Sequence, residues 1–102
     1  MTNGLEISIR GWEVEVPDDG AEGFKANIAR VLKKTGFMRK GEYWENEIGG
    51  LRLYETNRHT GCCTETLGFS IKSPYMLEGI PPVVVLIEQE IYAQKWNSIR
   101  IR

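Results

Sequence analysis

This chain has few of the residues that most often carry chemistry. Among its 102 residues are one histidine and two cysteines, His59, Cys62 and Cys63. Two adjacent cysteines do not make a disulfide framework, and a structural zinc site normally needs four ligands in a recognisable spacing. No phosphate-binding glycine loop, dinucleotide fingerprint, zinc-protease helix or nucleophile elbow occurs. No cofactor and no metal are therefore expected. Net charge is also nearly absent, at −1, which removes any global drive toward nucleic acid or an anionic membrane. The longest aliphatic run, Val83 to Ile87, is far too short to span a bilayer. The first residues, MTNGLEISIR, lack the basic and apolar regions of a secretory leader, so a cytoplasmic protein is the expectation. We find no internal repeat, low-complexity tract or long linker. Residues 1–102 are read as one domain.

What the sequence does have is period. Leu5, Ile7 and Ile9 alternate with polar residues, and Trp12, Val14 and Val16 continue the alternation one position out of phase. A bulge at Gly11 would reset the phase within one bent strand; an Arg10-Gly11 hairpin would repair it differently but would oppose Glu6 to Glu15. The bulge is the preferred solution. Ala21, Phe24, Ile28, Val31 and Leu32 form one helical stripe after Pro17-Asp18-Asp19-Gly20, predicting an amphipathic helix over about residues 20–35 that ends at Gly36. "GEYWENEIGGLRLYET" reads as a hairpin with Gly49-Gly50 as its turn. That register pairs Ile48 with Leu51, Trp44 with Glu55, Glu47 with Arg52 and Tyr43 with Thr56. Asn46 and Glu55 are then polar exceptions on its apolar face.

Residues 63–72 alternate again, with Cys63, Leu67, Phe69 and Ile71 on one face and Gly68 marking a close backbone approach on the other. The three valines at 83–85 favour a buried strand over 83–91, with a helix over 83–96 as the alternative. A last strand ending in Arg100 and Arg102 could face Glu13 and Glu15. The fold class is thus α+β: one amphipathic helix on a mainly antiparallel sheet of five or six strands. The expected core is Ile7, Ile9, Val14, Phe24, Ile28, Val31, Leu32, Leu51, Leu53, Leu67, Phe69, Ile71, Val85 and Ile87.

Three function classes compete on this pattern. The leading expectation is a small non-catalytic protein-interaction module, an inhibitor or antagonist that occludes a partner's surface. Tyr43, Glu45, Glu47, Arg52 and Tyr54 share the outward face of the predicted hairpin, and tyrosine and arginine are typical interface anchors. The partner is another protein or a second copy of the chain. The second class is nucleic-acid binding through Arg30, Lys33, Lys34, Arg39 and Lys40, since residues 21–41 carry +5 between acidic flanks of −4 and −3. The third is a small enzyme or ligand binder using Cys62 or Cys63 with His59, which requires the intervening turn to fold back. A vicinal disulfide would be strained and therefore a redox feature. If the strand extends to residue 63, the two thiols point to opposite faces and Cys63 joins the core.

Overall fold

The computed structural model describes residues 6–46 and 50–94, and the backbone of 98–101. Six strands form one antiparallel sheet: β1 (Ile7–Pro17), β2 (Phe37–Lys40), β3 (Tyr43–Asn46), β4 (Arg52–His59), β5 (Thr64–Ser73) and β6 (Ser98–Ile101), in the order β2-β3-β4-β5-β1-β6. Helix α1 spans Ala21–Lys34, after a single 3-10 turn at Asp18–Gly20, and α2 spans Pro82–Ala93.

Strand β1 is one bent strand, as the phase slip requires. Its pairing with β5 shifts between Ser8 and Arg10, so the extra residue is Ile9 rather than Gly11. Beyond the bulge Trp12, Val14 and Val16 are buried, while Ile7 stays 38% exposed and is not a core residue. Strand β6 pairs with the other edge of β1 and sets Arg100 opposite Glu13. Arg102 lies outside the described residues.

Helix α1 follows its stripe. Ala21, Phe24, Ile28 and Leu32 are buried, Val31 packs at the margin, and Gly36 takes the left-handed conformation at φ 90°. The basic connection after it is itself the edge strand β2. Only Phe37 in that strand is buried, and a four-residue edge with one apolar anchor leaves no periodic signal.

The β3–β4 hairpin forms with a register different from the expected one. Tyr43 pairs with Tyr54, Trp44 with Leu53 and Glu45 with Arg52. The Asn46 N–H donates to the Leu51 carbonyl at 2.8 Å and the Gly50 N–H to the Asn46 carbonyl at 2.9 Å. The hairpin thus closes through the Asn46–Leu51 pair, with Gly50 at φ 70°; Ile48 and Gly49 of the expected turn lie outside the described residues. A shift of two residues preserves which side chains share a face. It also accounts for both polar exceptions. The Asn46 side-chain amide donates to the Thr35 carbonyl at the end of α1, and the Glu55 carboxylate accepts from the Trp44 indole at 3.3 Å and pairs with Arg39.

Residues 83–91 are helical, against the strand expectation. As a strand the run would need apolar cover on both sides, because Val83 and Val85 would point away from Val84 and Leu86. As a helix it buries Val83, Val84, Ile87 and Ile91 on one side. Burial of four such side chains is worth on the order of 6–12 kcal/mol, whereas three valines cost helix propensity on the order of 1–2 kcal/mol. Pro82 starts the helix at a position where its missing N–H costs nothing. The helical wheel lacks a clean polar face because Glu88 points inward, while Val85, at 48% exposure, and Leu86 point out. Val85 thus leaves the expected core.

Both helices lie on the same face of the sheet and share one core with it. The Glu88 carboxylate accepts from the Trp12 indole at 3.0 Å and from Arg10 at 3.1 Å, and Asn27 of α1 donates to Gln94, which caps the C-terminal end of α2, at 3.0 Å. The helical assignment of 82–93 makes a contrast between residues two apart: Ile87→Ala should cost roughly 2–5 kcal/mol in urea denaturation, while Val85→Ala should cost less than about 0.5 kcal/mol. A strand would turn both side chains to one face and would not separate them in that way.

Candidate functional site on the open face of the sheet

Because α1 and α2 occupy one face, the other face of the sheet is left uncovered by either helix. Antiparallel alternation places on it Lys40 of β2, Tyr43 and Glu45 of β3, Arg52, Tyr54 and Thr56 of β4, Gly68, Ser70 and Lys72 of β5, and Gly11 and Glu13 of β1. Four of the five expected partner-binding residues, Tyr43, Glu45, Arg52 and Tyr54, therefore share this face as the alternation predicted. Glu47 lies outside the described residues.

These side chains hold one another. The rings of Tyr43 and Tyr54, directly opposite across the β3–β4 pair, have centroids 5.7 Å apart. The Arg52 guanidinium sits 4.8 Å from the Tyr43 centroid and donates to Glu45 at 3.1 Å. Lys72 lies 5.4 Å over the Tyr54 ring, and Lys40 reaches within 4.0 Å of Glu45. The Tyr54 hydroxyl donates to Glu6 at 2.8 Å. Cation–π contacts at such partly exposed sites are worth about 0.5–1 kcal/mol each, so their sum restrains the rotamers more than it stabilises the fold. Contact with Tyr54 and the ion pair with Glu45 hold Arg52 more firmly in its charged form than an ordinary arginine. Partial burial, then the bond to Glu6, pushes the Tyr54 phenol above its ordinary value of 10.

Beside Tyr54 the face dips into a groove of about 280 Å³, bordered by Lys72, Ser70 and Glu13 and floored by Gly11 and Gly68. Gly68 is there for a steric reason: a Cβ on it would sit 2.3 Å from the Thr56 hydroxyl across the β4–β5 pair. This is the close backbone approach that the sequence marked.

The basic residues divide into two groups. Arg30, Lys33 and Lys34 are exposed on α1. Arg39 pairs with Glu55, donates to the Gly41 carbonyl at 2.7 Å and lies over Trp44, and Lys40 leans toward Glu45. Two of the five cations on the proposed nucleic-acid surface are thus engaged by carboxylates of the protein itself.

The third candidate cluster is built differently from its sequence pattern. Strand β5 begins at Thr64, so Cys62 and Cys63 lie in the turn that precedes it, not on opposite faces of a strand. Both are exposed, and Cys63 is not a core residue. Their sulfurs share a hydrogen bond at 3.3 Å. His59 pairs in register with Glu65, and its Nδ1 lies 3.6 Å from an Asp18 oxygen. Ligand atoms of Asp18, His59 and Glu65 all fall within 4.8 Å of one another. Asp18 comes from the far end of β1, held there by its N–H bond to the Cys63 carbonyl at 2.9 Å, and no local sequence signal connects it to His59. Comparison with protein-family models, curated proteins and solved structures finds no match.

Two outcomes follow from the open face. Because the folded state binds the Tyr54 proton more tightly than the unfolded state, its contribution is complete below about pH 10 and is lost as pH rises through the higher folded value. Chemical denaturation at about pH 9 and about pH 11 should show a steeper loss for the wild type than for Tyr54→Phe. Gly68→Ala should cost about 1–3 kcal/mol by overpacking, and Thr56→Ala in the same chain should recover much of that loss. A double-mutant cycle by thermal melting measures the coupling.

Proposed function

We propose that the protein is a non-catalytic interaction module that docks the open face of its sheet onto another protein and occludes that partner's surface. The observation that supports it is the restrained Tyr43–Arg52–Tyr54 set on a face that neither helix covers. Binding normally costs about 0.5–1.5 kcal/mol for each long side chain that must be ordered. Here that cost is already met within the free protein, because each aromatic ring has a cation or a second ring against it. Tyrosine and arginine dominate interface energetics when they sit at the centre of a patch ringed by polar groups. Tyr43, Arg52 and Tyr54 have Glu45, Lys40, Lys72 and Glu13 around them. The groove beside Tyr54 would take one side chain of the partner. A cytoplasmic setting, in which the two free thiols stay reduced, belongs to the same proposal.

Affinity capture from a lysate of the source cells, followed by mass spectrometry, tests the reading when run as a series of variants. A partner held by the wild type should be lost with Tyr54→Ala and with Arg52→Ala, each costing about 2 kcal/mol or more of binding. It should be retained with the double variant Lys33→Ala/Lys34→Ala, on the opposite side of the molecule. Capture that survives Tyr54→Ala but fails in the lysine variant would transfer the function to α1 and to the nucleic-acid reading. Circular dichroism on each variant separates lost binding from lost fold.

A further inference from the structure

The turn between β4 and β5 has a chemistry that the open face does not use. Cys62 and Cys63 are both exposed, their sulfurs are 3.3 Å apart, and the turn carrying them is tied at both ends. The Cys63 carbonyl holds the Asp18 N–H at 2.9 Å, and the Thr60 N–H donates to the Thr64 carbonyl at 3.2 Å. The Thr60 hydroxyl bonds further to Glu15 at 3.2 Å. Two thiols presented side by side form a chelating pair, and the distance between them suits some centres better than others.

Bonds of about 2.3 Å from sulfur span about 3.8 Å between two sulfurs at a tetrahedral centre and about 4.6 Å at a linear one. The same bonds at right angles, as on a pyramidal centre carrying a lone pair, span about 3.3 Å. Only the last agrees with the observed spacing. The charge environment points the same way. A divalent cation needs both thiols deprotonated. The Cys63 thiol is held above its ordinary range, first by the hydrogen bond it shares with Cys62, then by partial desolvation and by the nearby Asp18 carboxylate. Loss of both thiol protons would set two negative sulfurs side by side. A ligand that condenses with neutral thiols avoids this cost.

We infer that Cys62 and Cys63 form a dithiol site for a trivalent, thiophilic metalloid of the arsenite class. The step is a condensation: arsenous acid, As(OH)3, exchanges two of its hydroxyl groups for the two sulfurs. Two As–O bonds break and two As–S bonds form. The two thiol protons leave with the displaced hydroxyls as two waters, and arsenic keeps its third hydroxyl and its oxidation state. Direct closure to a disulfide is the poorer outcome. Neighbouring Cα atoms across a trans peptide are about 3.8 Å apart, below the roughly 4.4 Å at which unstrained disulfides begin. An inserted arsenic atom relieves that strain by lengthening the bridge. The Cys63 thiol, held in its protonated form, is also a weak nucleophile, which disfavours a catalytic role and leaves equilibrium chelation untouched.

The test is titration of the reduced full-length chain with sodium arsenite, followed by intact mass under non-denaturing conditions. The expected result is one arsenic per chain, displaced by a competing dithiol but not by an equal concentration of monothiol. Cys62→Ser and Cys63→Ser should each weaken binding about 100-fold or more, because either one converts an intramolecular second bond into none. Both substitutions are near-isosteric at exposed positions, and circular dichroism confirms that the fold persists. Binding that is equally tight in either serine variant would overturn the inference, as would no adduct at millimolar arsenite. A parallel titration with zinc decides the remaining case: tight binding lost in both Cys62→Ser and His59→Ala would assign the thiols to a divalent cation together with His59, and would also overturn it.

Discussion

The carboxylate of Glu88, gripped by the Trp12 indole at 3.0 Å and by Arg10 at 3.1 Å, fastens α2 to the same side of the sheet as α1. Trp12 is fully buried, and its N–H needs an acceptor inside the core. That acceptor comes from the second helix rather than from the sheet. Because the pair is only partly screened from solvent, the contact's main effect is placement rather than large stabilisation. With α2 held beside α1, a single core forms on one face of the sheet. The opposite face is left to polar and aromatic side chains.

An uncovered sheet face has to be soluble without being floppy, and the network across β3, β4 and β5 meets both demands. Tyr43, Glu45, Arg52, Tyr54 and Lys72 each have a partner of complementary character: ring on ring, cation on ring, cation on carboxylate. Charges of both signs are interspersed across the face, so it carries no strong single-sign field and would recognise shape and aromatic contact more than bulk charge. The same ordering ties stability to the proposed binding surface. Tyr54 is at once a cross-strand packing residue, a hydrogen-bond donor to Glu6 and the centre of the patch.

The β4–β5 turn obeys another rule. Strand alternation separates neighbouring side chains only where the chain is extended, and the chain is not extended at residues 62 and 63. Their thiols converge because the strand starts one residue later than its apolar phase suggests. The convergence of Asp18, His59 and Glu65 beside them is purely a product of topology, since β1 ends where β4 ends and β5 begins.

Local chemistry along the chain was enough to determine a good deal: an α+β fold, the α1 stripe, the bent first strand, the facial partition of Tyr43, Glu45, Arg52 and Tyr54, and the close approach at Gly68. Each depends on period or on glycine sterics, and both act within a few residues. The hairpin register lies two residues from the one a tight Gly-Gly turn would set, because cross-strand tyrosine pairing and the reach of Asn46 to α1 outweigh the preference for that turn. The run 83–91 was ambiguous because its intrinsic β preference amounts to only a kcal/mol or two, while the burial that overrides it depends on where the sheet lies. Edge strand β2 was invisible, having one buried residue in four. That residues 82–93 form a second helix on α1's side of the sheet was decided only in three dimensions. A carboxylate meeting an indole 76 residues away in the chain fastens it there, and no local pattern records that distance.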